Sequence, residues 1–547
     1  MKILKNKIIL FISISIILSG VTVLTSCSII SAYFKTHSFY YDPVTGYSKT
    51  IAFYQKMEKE AHLNPIVSRT NFAILYYKAD PKTAFFYIPT ILLKPDLLKT
   101  PFAFLPAVFI MLSCFLFCLS YSVYIRNKNL VFSIILAILA ANTPIYFDVF
   151  RGVSSGWYDL PTGFFLASAM ISFLNWHEFN KFNWLILMSV FIGLALISRG
   201  IFAVNVVLVL VPVFIYKILI SFNINKNIFQ DILKPTLTVL IIVLSIAGYY
   251  HIIHFENNLF YYTKMSITGD IGSRWESLKT FLGLPILIGS LFSLGLSVIF
   301  VTILIRNKKI NKVTLIMLAW MILIMPIFWI VYYRMGKIAY HVFLTFTPMV
   351  FVLFLLINEN VFFEKSVNLI IYFSLILISF SNSIYSINSN FTKAKNPTFQ
   401  EKESKITDRK IAEFISKIGN NKSWAAFIDE GYVRIPNCES YYQFNKFPNF
   451  DISVDLILHK EYLKANFNSE SVEYIYNILK KRLDNINYIV TFNQSSVGLN
   501  KFDKQFYLAK KIANRVCLYI AFSKKFKKIK IIKSAKYSDL AVYERIK

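Results

Sequence analysis

The chain has 547 residues, 56% of them hydrophobic and 17% aromatic, and a formal net charge of +29. A mean hydropathy of +0.52 is too apolar for a soluble protein of this size and fits a polytopic membrane protein with a soluble part. The charge suits anionic headgroups or anionic lipid-linked substrates, and with no nucleic-acid recognition motif in the chain, nucleic acid is excluded as a partner.

Met1 to Lys7 is basic, and an apolar run follows to Tyr33. Two readings are open. One is a cleaved signal peptide, with Leu24-Thr-Ser-Cys27 resembling a bacterial lipoprotein cleavage box. The other is a retained first span, which the apolar residues beyond Cys27 and the later topology favour. The 33–101 segment that follows is too long for a connector. Within it, Lys49 to His62 has a helical pattern, and Ala84 to Leu93 is an aromatic stretch suited to the membrane interface.

Apolar runs of spanning length fall near 8–32, 102–124, 130–147, 160–175, 184–199, 201–220, 236–253, 280–305, 313–333, 341–357 and 367–386, which makes about eleven helices. Trp184 to Ile220 reads as two short helices around Ser198-Arg199-Gly200, or as one long tilted helix with a re-entrant piece. The short loops at Arg126 to Lys128, Lys217 with Lys226, and Arg306 to Lys312 are basic. Alternating crossings put them on one side with the N-terminus, which is therefore cytoplasmic. The opposite side receives the 33–101 loop, 148–159, Arg199, 254–279, Arg334 to Tyr340 and everything beyond about Ile387.

From about Asn388 the composition turns to mixed charge. Asp408 to Ile418 and Ser469 to Leu483 read as helices. Trp424 to Ile428, Tyr488 to Phe492, Lys527 to Lys533 and Leu540 to Tyr543 read as strands. The expected architecture is an α-helical membrane module over 1–387 and an extracytoplasmic α/β domain over 388–547, the latter read as an accessory or acceptor-recognition domain. Five cysteines are present: Cys27, Cys114, Cys118, Cys438 and Cys517. Cys438 and Cys517 could pair in an oxidising compartment. No cysteine–histidine cluster has zinc spacing.

Two acids stand out on the outer side. Asp42, among Tyr40, Tyr41 and Tyr47, reads either as a turn acid before Pro43 or as a general base for an acceptor hydroxyl. Asp159, before Leu160-Pro161, reads as a helix N-cap or as a second acid that orients the acceptor or a divalent metal. Asp148 and Arg151 are near it in sequence. Arg199, and the cluster Arg334, Lys337, Tyr340 and His341, read as phosphate-binding cations or as residues snorkelling to headgroups. His251 and His254 have i, i+3 spacing, with Glu256 beyond and no third metal ligand identified.

Several stretches together resemble the GT-C membrane glycosyltransferases, the group of the protein O-mannosyltransferases and the lipid A aminoarabinose transferases. Asp42 stands in the first outer loop, where that group keeps its catalytic acid. Asp159-Leu-Pro-Thr-Gly-Phe-Phe is similar to its Asp-x-Pro-Leu-x-x-Phe-Phe pattern. Ile192-Gly-Leu-Ala-Leu-Ile-Ser-Arg-Gly200 is similar to its Gly-Leu-Ala-x-Leu-[Ser/Thr]-[Lys/Arg]-Gly segment, and Lys337 to Pro348 loosely matches a late-span pattern. Many relatives have two adjacent acids in the first loop, whereas Pro43 follows Asp42 here. The resemblance covers about 1–390 and implies a polyprenyl-phosphate sugar donor, a lipid or protein acceptor, Asp42 as base, and Arg199, Arg334 and Lys337 near the phosphate. Two rivals remain: a flippase or transporter of lipid-linked glycans, and a polymerase or ligase of surface polysaccharide. Charges at span ends and a large first loop favour the transferase.

Overall fold

In the computed structural model the described residues are 2–37, 47, 50–55, 57–58, 65–79, 84–150, 152–155, 158–198, 233–255, 347–352, 365–418, 422–427, 449–453, 469–483, 485–492, 515–533 and 539–546. They fall into two compact units. The first comprises 1–30, 61–95 and 104–390, and the second 31–60, 96–103 and 391–547.

Among the described residues the longer helices of the first unit are α1 (Lys2–Thr36, whose last turn enters the second unit), α2 (Pro65–Ala79), α3 (Ala84–Leu93), α4 (Leu105–Asn127), α5 (Leu130–Ala141), α6 (Asp159–Phe179), α7 (Phe182–Ser198), α8 (Lys234–Ile253) and α9 (Lys365–Lys395, running on into the second unit). Three stretches, Asn6–Thr36, Leu105–Asn127 and Lys234–Ile253, are long and apolar enough to cross a membrane. The interface stretch expected at Ala84 to Leu93 is α3. The expected 130–147 span is shorter in the structure. Helix α5 stops at Ala141, and a 3₁₀ turn, Pro144–Phe147, follows. Pro144 disfavours helical backbone at the residue before it, and Thr143 is extended (φ −65°, ψ 123°). Twelve residues rise only about 18 Å, short of the ~30 Å hydrocarbon core.

Helix α6 is central. Every residue from Asp159 to Trp176 is buried, as expected of a helix apolar on all sides. Gly163, Ala167, Ser168 and Ala169 keep its girth small. Helix α7 packs against α6, and Gly193 lets α8 approach it: a Cβ there would lie 2.9 Å from Ile246. This gives the glycine of the Ile192-to-Gly200 segment a packing reason.

The second unit holds α10 (Phe399–Lys417), α11 (Ser469–Leu483) and strands β1 (Ser423–Phe427), β2 (Asn449–Ser453), β3 (Tyr488–Phe492), β4 (Phe526–Ile532) and β5 (Leu540–Arg545). The sheet order is β2-β1-β3-β5-β4. Strand β1 is parallel to β2 and β3, while β5 is antiparallel to β3 and β4. One face packs Trp424, Val490, Val542 and Ile532 on Ile411 and Ile415 of α10. The other packs Ile489, Ala541 and Tyr543 on Leu479 and Leu483 of α11 and on Val516 and Ile520 of the helical residues 515–522. Buried Cys517 faces Thr491, with Sγ and Oγ1 2.5 Å apart. Cys438 lies outside the described residues.

Candidate functional site

Of the sequence-derived candidates, Asp159 is described. Asp42, Arg151, Arg199, Arg334, Lys337, Tyr340 and His341 lie outside the described residues. The site is therefore built here from the segments that carry Asp159 and that lead to Arg151 and Arg199.

Asp159 is fully buried at the first helical position of α6. The N-cap is Tyr158, in helical backbone and without a side-chain cap bond. The expectation of Asp159 as N-cap is thus corrected by one residue. A side chain already inside the helix cannot reach forward to the free amides of the first turn as a true cap does. Its charge still sits at the positive end of the helix dipole.

One turn on, Ser198 Oγ donates to Thr162 Oγ1 at 3.1 Å, and both residues are buried. Thr162 belongs to the Asp159-Leu-Pro-Thr-Gly motif, and Ser198 directly precedes Arg199. Two motifs 36 residues apart therefore meet at one end of the α6–α7 pair.

Helix α3 covers the same turn with aromatic side chains. Tyr87 Oη and Tyr158 Oη are 2.6 Å apart. The Phe86 ring stacks on Tyr158 at 4.2 Å, and Phe104 meets it edge-on at 5.9 Å. Phe85 packs against Phe165. None of these aromatics was singled out from the sequence. The usable signal was the apolar, aromatic character of Ala84 to Leu93 next to an acid-bearing helix start.

The loop leading to Asp159 is tightly closed. Asp148 Oδ1 accepts from the Phe150 amide at 2.9 Å, Gly152 N donates to Asp148 O, and Val153 N donates to Tyr146 O. A Cβ at Gly152 would lie 2.4 Å from Asp148 O and 2.5 Å from Tyr146 O. Only glycine fits, directly after Arg151.

The opposite end of α6 is held by charge and amide. Arg126 pairs with Glu178, and its Nε and Nη2 donate to Asn175 Oδ1 at 3.2 and 3.0 Å. Asn175 in turn donates to Ser122 Oγ at 2.5 Å. The C-terminal ends of α4 and α6 thus lie together.

His254 is buried, with Nε2 3.1 Å from the Tyr77 carbonyl and its ring 4.8 Å from Tyr250. Among the described residues no group of three His, Cys, Asp or Glu side chains could hold a metal ion.

In the second unit the end of α1 is latched to the start of α10. His37, buried and stacked on Tyr33 at 3.9 Å, has Nε2 3.5 Å from Glu401 Oε2. Glu401 closes a capping box with Thr398, a Thr-x-x-Glu pattern legible in the sequence. Thr36 Oγ1 donates to Ala394 O, and Lys405 Nζ donates to Phe34 O at 3.0 Å. Burial lowers the His37 pKa from its ordinary 6.5 despite the facing carboxylate. For Glu401, partial burial acts upward, but the Thr398 bonds and His37 outweigh it and the net shift is downward.

No protein-family model matches the chain, and no curated protein matches it in sequence. Among solved structures, the chain is similar to ArnT from Cupriavidus metallidurans bound to undecaprenyl phosphate, with 9% identity, 96% of this chain and 98% of that chain covered, and a TM-score of 0.45. It is similar to an Archaeoglobus fulgidus oligosaccharyltransferase in complex with Zn and sulfate, with 13% identity, 96% and 73% covered, and a TM-score of 0.44. A third is the oligosaccharyltransferase AglB from Archaeoglobus fulgidus with an inhibitory peptide and a dolichol-phosphate, with 11% identity, 87% and 69% covered, and a TM-score of 0.40. These neighbours are members of the GT-C group.

Proposed function

We propose that the chain is an integral membrane glycosyltransferase that moves a sugar from a polyprenyl-phosphate donor to an acceptor hydroxyl on the extracytoplasmic face. The architecture proposed with it is a bundle of about eleven spans and a C-terminal α/β domain on the same face as the active site. The observation that carries the reading is the Thr162–Ser198 bond. It joins the turn bearing buried Asp159 to the helix end that precedes Arg199 in sequence, which supports reading the two motifs as parts of one site. A carboxylate buried at a span end is costly and marks function.

In this reading Asp42 takes the acceptor's hydroxyl proton. The acceptor oxygen bonds to the anomeric carbon with inversion, and the bond from that carbon to phosphate oxygen breaks. Polyprenyl phosphate leaves with the electron pair, and Arg199, Arg334 and Lys337 stabilise its growing charge. Asp159 orients the acceptor or a divalent cation, and Arg151, Tyr340 and His341 line the donor headgroup.

The test is transfer of labelled sugar from polyprenyl-phosphate donors by purified protein, with and without a chelator. Asp42→Asn is expected to lose about 10²- to 10⁴-fold in rate. Equal rates in variant and wild type would remove Asp42 as the base. Donor carried across the bilayer without any transfer would favour the flippase reading.

A further inference from the structure

We infer that the open edge of the C-terminal sheet is a docking surface for an anionic lipid bilayer. Strand β4 is the last strand of the sheet among the described residues, and its side chains from Lys527 to Ile531 are exposed. Lys524, Lys525, Lys527, Lys528, Lys530 and Lys533 all lie on or beside it and are all exposed, and no acid occurs between residues 515 and 533. The acid in register with Lys527 is Glu544 on β5, which accepts a bond from Tyr488 at 2.8 Å.

Lysines alone would be the ordinary way to keep an edge strand from pairing with another chain. The apolar residues here contradict that purpose. Ile529 and Ile531 are 40% and 48% exposed, and Phe522, at the end of the helical residues 515–522, is 82% exposed. An edge defended only against pairing gains nothing from exposed β-branched residues, which make it more adhesive. A soluble polyanion would use the lysines and leave the isoleucines and Phe522 in water. A bilayer interface takes both, with ammonium groups among anionic headgroups and apolar tips at the acyl boundary.

The unit is also tethered where such a surface is available. It contains the last turn of α1, the end of a candidate membrane span, latched to the N-terminal turn of α10 through His37 and Glu401. Strand β4 packs against α10, with Lys530 Nζ 5.9 Å from the Phe414 ring. Phe414 lies thirteen residue steps beyond Glu401 on α10, or roughly 20 Å along the helix axis. The inference does not depend on the proposed transferase activity.

The test is lysine footprinting by acetylation and mass spectrometry on the full chain. The protein is held in nanodiscs of phosphatidylcholine alone or mixed with phosphatidylglycerol, at low and high salt. Lys527 and Lys530 are expected to react several-fold more slowly in the anionic discs at low salt and to recover at high salt. Each lysine contributes about fivefold to surface partitioning, so the variant K524Q/K527Q/K530Q should lose the lipid dependence of Lys533. Unchanged amide exchange in β3 and β5 would show that this variant folds. Equal labelling in both lipids would overturn the inference. Protection independent of lipid and salt would also overturn it, in favour of protein covering the edge. Protection by dextran sulfate in phosphatidylcholine discs, as strong as that from phosphatidylglycerol, would reassign the surface to a polyanion.

Discussion

The two ends of α6 solve opposite problems with the same helix. At its C-terminal end the mostly buried Arg126 guanidinium is bonded to Glu178 and Asn175, with Ser122 behind them. At its N-terminal end the buried Asp159 sits on a turn tied by Thr162 to Ser198 and roofed by aromatic rings on Tyr158. The first arrangement neutralises a cation and locks α4 to α6. The second fixes a backbone turn and presents an acid. The first set of contacts serves packing, and the second fixes the backbone turn on which the proposed chemistry depends.

The largest expected effect comes from breaking the matched end. Arg126→Met leaves the buried Asn175 amide oxygen without its donor and should lower stability by as much as roughly 3 kcal/mol, read as thermal unfolding in detergent, with transfer rate per folded molecule unchanged. A large loss of rate in the folded fraction would erase the distinction between the two ends. Gly152→Ala acts on the loop before Asp159, where the added carbon meets two carbonyl oxygens. It should cost roughly 1–3 kcal/mol and also lower transfer, because it moves the neighbour of Arg151.

Removing the Thr162–Ser198 bond, by Thr162→Val and Ser198→Ala singly and together, is a smaller test. A coupling of about 0.6 kcal/mol, at most ~1.7, is expected from a double-mutant cycle. The transfer rate should fall more than stability does. A loss confined to stability would make this bond a packing device like the one at the other end.

The smallest effect is in the second unit and depends on pH. His37 has its pKa lowered in the folded state, so the unfolded chain takes up the proton first. Stability is fully present above 6.5 and declines as pH falls below it. The contribution of Glu401 is present above 4.5 and lost as pH falls through its lowered folded value. Both act in one direction, so amide protection factors at the end of α1, taken relative to the intrinsic exchange rate at each pH, should fall on acidification. His37→Gln should flatten the upper part of that profile. An unchanged profile would show that the latch does not titrate.

How legible a region was in the sequence depended on how local its cause is. Ser469–Leu483 and Tyr488–Phe492 form their elements within the bounds expected, because helical and alternating periodicity act over a few residues. The expected span at 130–147 overran because hydropathy is blind to the Thr143-Pro144 break. Asp159 was recognised as a residue of interest, but its fully buried state was not, since burial depends on α3 and α7 arriving around it. Tyr87, Tyr158 and His37 went unremarked for the same reason, with partners 71 residues away for the tyrosine pair and at Glu401 for the histidine.

By itself the sequence determined that this chain is apolar enough to live in a membrane, where its strongest helices and strands lie, and which acids and cations to single out. Those follow from composition and short-range periodicity. Only the tertiary structure decided that Thr162 meets Ser198, that Arg126 is matched by Glu178 and Asn175, and that β4 is the last strand of the sheet among the described residues, with exposed lysine and isoleucine. Such pairings depend on which helix faces pack and on which strand is left last in the sheet, and no local pattern encodes either.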